Sequence, residues 1–194
     1  MIGMRGVMKM NNHVLPRREI KKSYLGDYMK VGINAENIII KFLNSKSNIL
    51  EIIDKRYDEE YQRKEIDIII KMNDERIIKC EIKSDWHLGV SGRVLFEVLR
   101  INHNTVDPSY AVNIGWSART EADEVLYYAP QVNSIYRVTV NKLITAMQEY
   151  TQEARKDTFI NIVPTDNIKS TVNILIPWKP YCENIFNIYK LGGE

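Results

Sequence analysis

Two spacings of apolar residues alternate along the chain. Ala35, Ile38, Ile39, Phe42 and Leu43 recur at helical spacing and predict a helix through "INAENIIIKFLNS", with Asn34 as its N-cap. From Ile49 the period shortens to that of a strand. Residues 49–57, 65–72 and 76–84 read as three strands, and the polar turn Asn73-Asp74-Glu75 joins the last two as a hairpin. "DEEYQRK" between the first pair reads as a charged connection. Further strands are predicted at 93–99, 110–114, 125–129 and 134–140. Leu143, Ile144, Met147, Tyr150 and Ala154 predict a second helix over 141–157, and alternation resumes at 159–163 and 171–176. Thr120 to Asp123 reads as an N-cap and a short helix, with Glu121 and Asp123 at its positive end. This order, free of repeats and linkers, predicts one mixed α/β domain over 31–194.

Composition refines the picture little. A hydrophobic share of 44% suffices for a core, and 27% charge is usual for a soluble globular protein. No apolar run approaches the ~20 residues needed to span a bilayer. The opening "MIGMRGVMKMNNHV" lacks the apolar stretch of a signal peptide. Cys80 and Cys182, far apart in the chain, fit neither a disulfide scaffold nor a zinc site. The expected compartment is the cytoplasm. Charge placement says more than the net +2. Residues 1–30 hold seven bases, among them Arg17, Arg18, Lys21 and Lys22, against the two acids Glu19 and Asp27. Such a leader reads as a grip on a polyanion through counterion release, or as a solvated, flexible segment.

The chemistry centres on "IIKCEIKSDW". Side chains alternate on a strand, so Glu81 and Lys83 project from one face while Ile82 enters the other. Folding the hairpin about Asp74 brings Asp67 opposite Glu81, with Cβ atoms about 4.5–5.5 Å apart. Carboxylates so close repel unless a cation or proton lies between them. Two acids beside a lysine suit magnesium, which uses oxygen ligands, retains waters and binds substrate phosphate. An E-x-K triplet by itself reads as a surface ion pair; the Asp on the partner strand and Glu36 upstream on a helix set this one apart. No Ser/His/Asp or Cys/His set is favoured, and no phosphate-binding G-x-x-x-x-G-K-[ST] loop occurs.

Glu36 on the first helix, Ile66-Asp67 on one strand and Glu81-Ile82-Lys83 on the next resemble the PD-(D/E)XK nuclease superfamily. "GINAENIII" is similar to the Gly-x-x-Ala-Glu opening of its resolvase-like members. Ile66 stands where the superfamily often has proline. "SGRVLFE" and "GWSARTEADEVLYYAP" are similar to motifs of small phage-associated nucleases, with Gly115, Thr120, Ala122, Asp123, Tyr127 and Pro130 matching and Ser91 and Arg93 departing. The resemblance implies a restriction-endonuclease-like mixed β-sheet flanked by helices. It also implies that Asp67, Glu81 and the Ile82 carbonyl bind Mg2+ (with Mn2+ as substitute), that Glu36 supports the ion, and that Lys83 assists the attacking water. Glu97 matches a family acid and reads as a further site acid or as a charge on a solvated face. Trp86 and Arg93 read as DNA contacts by stacking or phosphate pairing. The expected function is a Mg-dependent deoxyribonuclease, endonuclease or resolvase-like rather than exonuclease, with DNA as partner. The alternative is a non-catalytic nucleic-acid-binding protein that keeps the fold. Cutting both strands with one site per chain favours a homodimer.

Overall fold

The structure, a computed structural model, describes residues 23–86, 88–103, 112–154, 158–164 and 169–192. In chain order the elements are α1 (Ser23–Asn44), β1 (Ile49–Asp54), α2 (Glu59–Arg63), β2 (Ile68–Met72), β3 (Ile77–Ser84), β4 (Arg93–Asn102), β5 (Val112–Ile114) and α3 (Trp116–Arg119). There follow β6 (Glu124–Ala129), β7 (Ser134–Thr139), α4 (Val140–Ala154), β8 (Ile160–Pro164), β9 (Lys169–Pro177) and β10 (Asn187–Lys190). The strands make a six-stranded sheet, β1-β2-β3-β6-β7-β10, and a four-stranded one, β5-β4-β9-β8. In the larger sheet β3 and β6 run parallel while the other neighbours are antiparallel. A mixed sheet with helices on both faces is the restriction-endonuclease-like architecture expected of the chain.

Alternation along the strands sorts the two faces. Ile68, Ile70 and Met72 of β2, Cys80 and Ile82 of β3, and Leu126 and Tyr128 of β6 meet Ala35, Ile39 and Leu43 of α1. Each fully buried large aliphatic side chain in this layer contributes roughly 1.5–3 kcal/mol. On the other face Ile69, Val125, Tyr127, Tyr136 and Val138 pack with Leu143, Ala146 and Tyr150 of α4. Val94, Phe96 and Ile176 of the smaller sheet complete that second layer. Glu81 is aligned with Val125 and Lys83 with Tyr127 across the parallel pair. The acid and the base of β3 therefore face the second layer, between the two sheets.

Some boundaries differ from expectation. α1 begins at Ser23, so Asn34 lies inside the helix and is not its N-cap. Gly32 is inside it too; a Cβ there would meet nothing within 4 Å, and one helical glycine costs only about 1 kcal/mol. The charged connection contains α2, whose N-cap Asp58 accepts the Glu60 N–H at 3.1 Å. Thr120 follows α3 instead of starting a helix. β10 pairs with β7 although its four residues are too few for a period to be read. Residues 1–22, with Arg17, Arg18, Lys21 and Lys22, lie outside the described residues. No described helix is long and apolar enough to cross a membrane.

Candidate active site

The hairpin turn closes through Met72 N–H to the Arg76 carbonyl at 2.9 Å, with Glu75 in the left-handed region at φ 68°. Ile68 faces Cys80, Ile69 faces Lys79, Ile70 faces Ile78 and Lys71 faces Ile77. This is the register that folding about Asp74 requires. Regular pairing ends at Ile68. Asp67 donates its N–H to the Cys80 carbonyl at 2.9 Å, and its Oδ2 accepts the Ile82 N–H at 2.7 Å. A side-chain carboxylate thus takes the place of a ladder carbonyl and ties Asp67 to β3 beside Glu81. The two carboxyl groups line one cleft, and the charge of Asp67 is felt at Glu81.

Their surroundings are poor in water. Glu81 is only 3% exposed. Burial, joined by the charge of Asp67 and opposed by Lys83, pushes its carboxyl up to about 7. Burial also raises Asp67, against the pull of the Ile82 N–H and of Lys83. The Lys83 ammonium bonds Glu81 Oε1, lies 3.9 Å from Glu65 Oε2 and sits 5.3 Å from the centre of the Trp116 ring. Burial pulls the lysine down, but Glu81, Glu65 and Asp67 outweigh it and the net shift is upward. Lys83 is therefore a cation at neutral pH: it donates hydrogen bonds and charge and does not accept a proton.

Glu36 reaches the same place from α1, with Oε2 2.9 Å from Arg56 Nη1. Arg56 is held in turn by Asp54, through Nε at 2.9 Å and Nη2 at 2.6 Å. Glu36, Asp67, Glu81, Ile82 and Lys83 all line one cleft of about 420 Å³, together with Ile33, Arg56, Tyr57, Gln62, Glu65 and Arg100. The structure thus brings together the four side chains and the Ile82 backbone singled out in the sequence.

Three other candidates lie elsewhere. Trp86, half exposed just after β3, does not line the cleft. Arg93 points away from it, its guanidinium 4.7 Å from the centre of the Phe159 ring and hydrogen-bonded to the Leu175 carbonyl at 3.4 Å. Glu97 is buried outside the cleft lining. It accepts from Arg100 Nε at 2.7 Å and from the Trp116 N–H at 3.3 Å, so it is no charge on a solvated face and it holds Arg100, which lines the cleft.

Glu65, Arg56 and Arg100 are cleft residues that the sequence reading passed over. For Glu65 a signal existed, since an acid two places before Asp67 shares its face on an extended chain. The actual conformation is different: Glu65 adopts φ 52°. Its carboxylate bonds Arg119 and lies 3.8 Å from Arg100 Nη1. Nothing local marks the two arginines.

The residues of the later motif build the frame. Gly115 donates to the Val98 carbonyl at 2.8 Å, and an added Cβ would stand 2.6 Å from the Glu97 carbonyl oxygen. Thr120 Oγ1 donates to the Glu65 carbonyl at 3.1 Å and accepts the Ala122 N–H at 3.0 Å. Asp123 Oδ2 accepts the Lys79 N–H at 2.8 Å, splicing the loop onto the start of β3. Tyr127 is 2% exposed in the core.

Among the described residues no three acidic, histidine or cysteine side chains converge as a ready-made metal cage. The cleft offers a pair, Asp67 and Glu81, close enough for the charge of one to be felt by the other, where a cation would satisfy both charges. Magnesium commonly takes one or two carboxylates and completes its shell with water and phosphate. The donor set fits that ion.

A solved structure of a bacterial homing endonuclease, I-Ssp6803I, is similar to this chain with a TM-score of 0.42 and 16% sequence identity, over 60% of this chain and 72% of that one. No family model and no curated protein matches the sequence.

Proposed function

We propose that the protein is a Mg-dependent deoxyribonuclease of the PD-(D/E)XK type, hydrolysing phosphodiester bonds in the cleft lined by α1, the segments flanking α2, β3 and β4. The observation that carries the reading is the bond from Ile82 N–H to Asp67 Oδ2. It couples the two strands through a side chain and sets both carboxylates, with Lys83, in one buried cleft. A magnesium ion bound to Asp67 and Glu81 would neutralise phosphate charge and lower the pKa of a coordinated water. The chain's own groups do the rest. Lys83 supplies positive charge to the developing phosphorane from a poorly hydrated position. Arg56 keeps the Glu36 carboxylate turned toward the acids, where its charge adds to the demand for a cation. An endonuclease or resolvase-like specificity rests on the Gly-x-x-Ala-Glu resemblance around Glu36.

Incubation of supercoiled, linear and four-way-junction DNA with the protein and magnesium tests the proposal. Nicked or linear product, lost on adding EDTA and in Asp67→Asn, is the expected result. Magnesium binding without cleavage of any of these substrates would replace this reading with a non-catalytic nucleic-acid binder.

A further inference from the structure

A second, larger groove of about 570 Å³ lies beside the cleft, over the edge of the four-stranded sheet. It is lined by Arg100, Arg119 and Lys169, the amides Asn102 and Asn113, and the apolar residues Ile101, Val112 and Ile114. No acid is among the described lining residues. Arg100 also lines the Asp67–Glu81 cleft, so the two depressions share a wall.

Strand register explains how the polar groups come together. Arg100 and Asn102 are two apart on β4 and so share a face. Their cross-strand partners share it as well: Asn113 on β5 lies opposite Arg100, and Lys169 on β9 lies opposite Asn102. Four donors from three strands therefore form one field. Glu97 and Glu65 hold Arg100, and Glu65 holds Arg119. A guanidinium has five N–H donors, so these carboxylates set the arginines in place and leave donors facing the groove. The two side chains stay 42% and 36% exposed.

We propose that this groove holds the sugar-phosphate backbone of the DNA strand that passes through the cleft, with Lys169, Arg100 and Arg119 on its phosphates and Asn102 and Asn113 between them. The inference rests on the nuclease reading of the cleft. Basic side chains interleaved with neutral amides are the chemistry of sequence-independent backbone contact. The described apolar lining, which includes no aromatic ring, suits sugars better than stacked bases.

The test uses the full-length protein, EDTA and fluorescein-labelled single- and double-stranded oligonucleotides, with affinity read by anisotropy over a salt series. Lys169→Ala should weaken binding to all sequences alike and lower the salt slope by about one. Asn113→Glu, which sets an acid in the groove wall, should weaken it further. Lys190→Glu, on the far edge strand of the larger sheet, serves as the control and should bind like wild type. Wild-type affinity and slope in both groove variants would overturn the proposal, as would an equal loss in the control or no DNA binding by the wild type. Cleavage with magnesium, assayed separately, reports on the catalytic reading. Groove-dependent binding without cleavage removes the nuclease and keeps the groove; cleavage with wild-type binding in the groove variants does the reverse.

Discussion

At the scale of single residues the determining fact is that a buried Glu81 and a half-buried Asp67 line one cleft. A carboxyl raised from an ordinary 4.5 to about 7 binds a proton in the folded state that the unfolded chain has already released. Between those two values the folded state holds more protons, so stability falls as pH rises. The contribution of Glu81 is fully present below about 4.5 and is lost as pH passes 7. A shift of this size is worth at most roughly 3 kcal/mol, and Asp67, raised in the same direction, adds to it. Urea midpoints of the metal-free protein should therefore fall from pH 5 to pH 8, and Glu81→Gln should flatten that fall. A midpoint that rises over this interval would contradict the burial argument. Asp67→Asn should abolish cleavage, keep the fold and raise metal-free stability at pH 8, because it removes one of two crowded charges. Lys83→Ala should lose most turnover and still bind magnesium, since an ammonium is not a ligand for a cation; calorimetric titration beside a cleavage assay separates the two effects.

Elements explain why these residues meet. The β2–β3 register was legible because one apolar pattern runs through both strands and a short polar turn lies between them. A slip of one residue would have turned Ile68, Ile70 and Cys80 out of the α1 layer. The capping of Ile82 by Asp67 was not legible, since periodicity predicts that pairing continues where a side chain in fact interrupts it. The start of α1 was hidden by Gly32, which punctuates sequence more strongly than it breaks a helix already formed. α3 and Thr120 exchanged roles for a tertiary reason. Trp116 is drawn into the core, and the Thr120 hydroxyl is engaged by the Glu65 carbonyl, not by a helix terminus. The frame motif yields its own prediction. Gly115→Ala drives a methyl against the Glu97 and Val98 backbone and should cost about 1–3 kcal/mol as overpacking. Each kcal/mol lowers the melting temperature by roughly 2–4 °C in a chain of this size. Asp123→Ala, which deprives a solvent-exposed N–H, should cost about 1 kcal/mol, because water takes over as acceptor. Calorimetry of both variants checks the order. An Asp123→Ala more damaging than Gly115→Ala would show that the splice onto β3 matters more than the close backbone approach.

For the whole molecule, the cleft is a convergence of α1, the segments flanking α2, β3 and β4, which is why only part of it could be read in advance. Asp67, Glu81 and Lys83 are near neighbours on one hairpin and announce themselves. Arg56, Glu65 and Arg100 acquire their role from the way a loop and a second sheet close over that hairpin, and no local spacing encodes such closure. Once assembled, the cleft is lined by the acids Glu36, Glu65, Asp67 and Glu81 against the bases Arg56, Lys83 and Arg100. Fully ionised it is a poor host for a phosphate, and one divalent cation reverses the sign. A magnesium ion held by the pair would compete with the proton that burial keeps on Glu81, so magnesium affinity should rise with pH through 7 and proton release should accompany it. At an ion concentration one hundred times the dissociation constant, a ligand bound only by the folded state adds about 2.7 kcal/mol. That corresponds to a rise in melting temperature of roughly 5–10 °C. Wild type should show this rise at pH 8 and much less of it at pH 5.5, while Asp67→Asn should show little at either. An equal rise in the variant would place the ion outside the Asp67–Glu81 pair, and a rise independent of pH would contradict the proton held on Glu81.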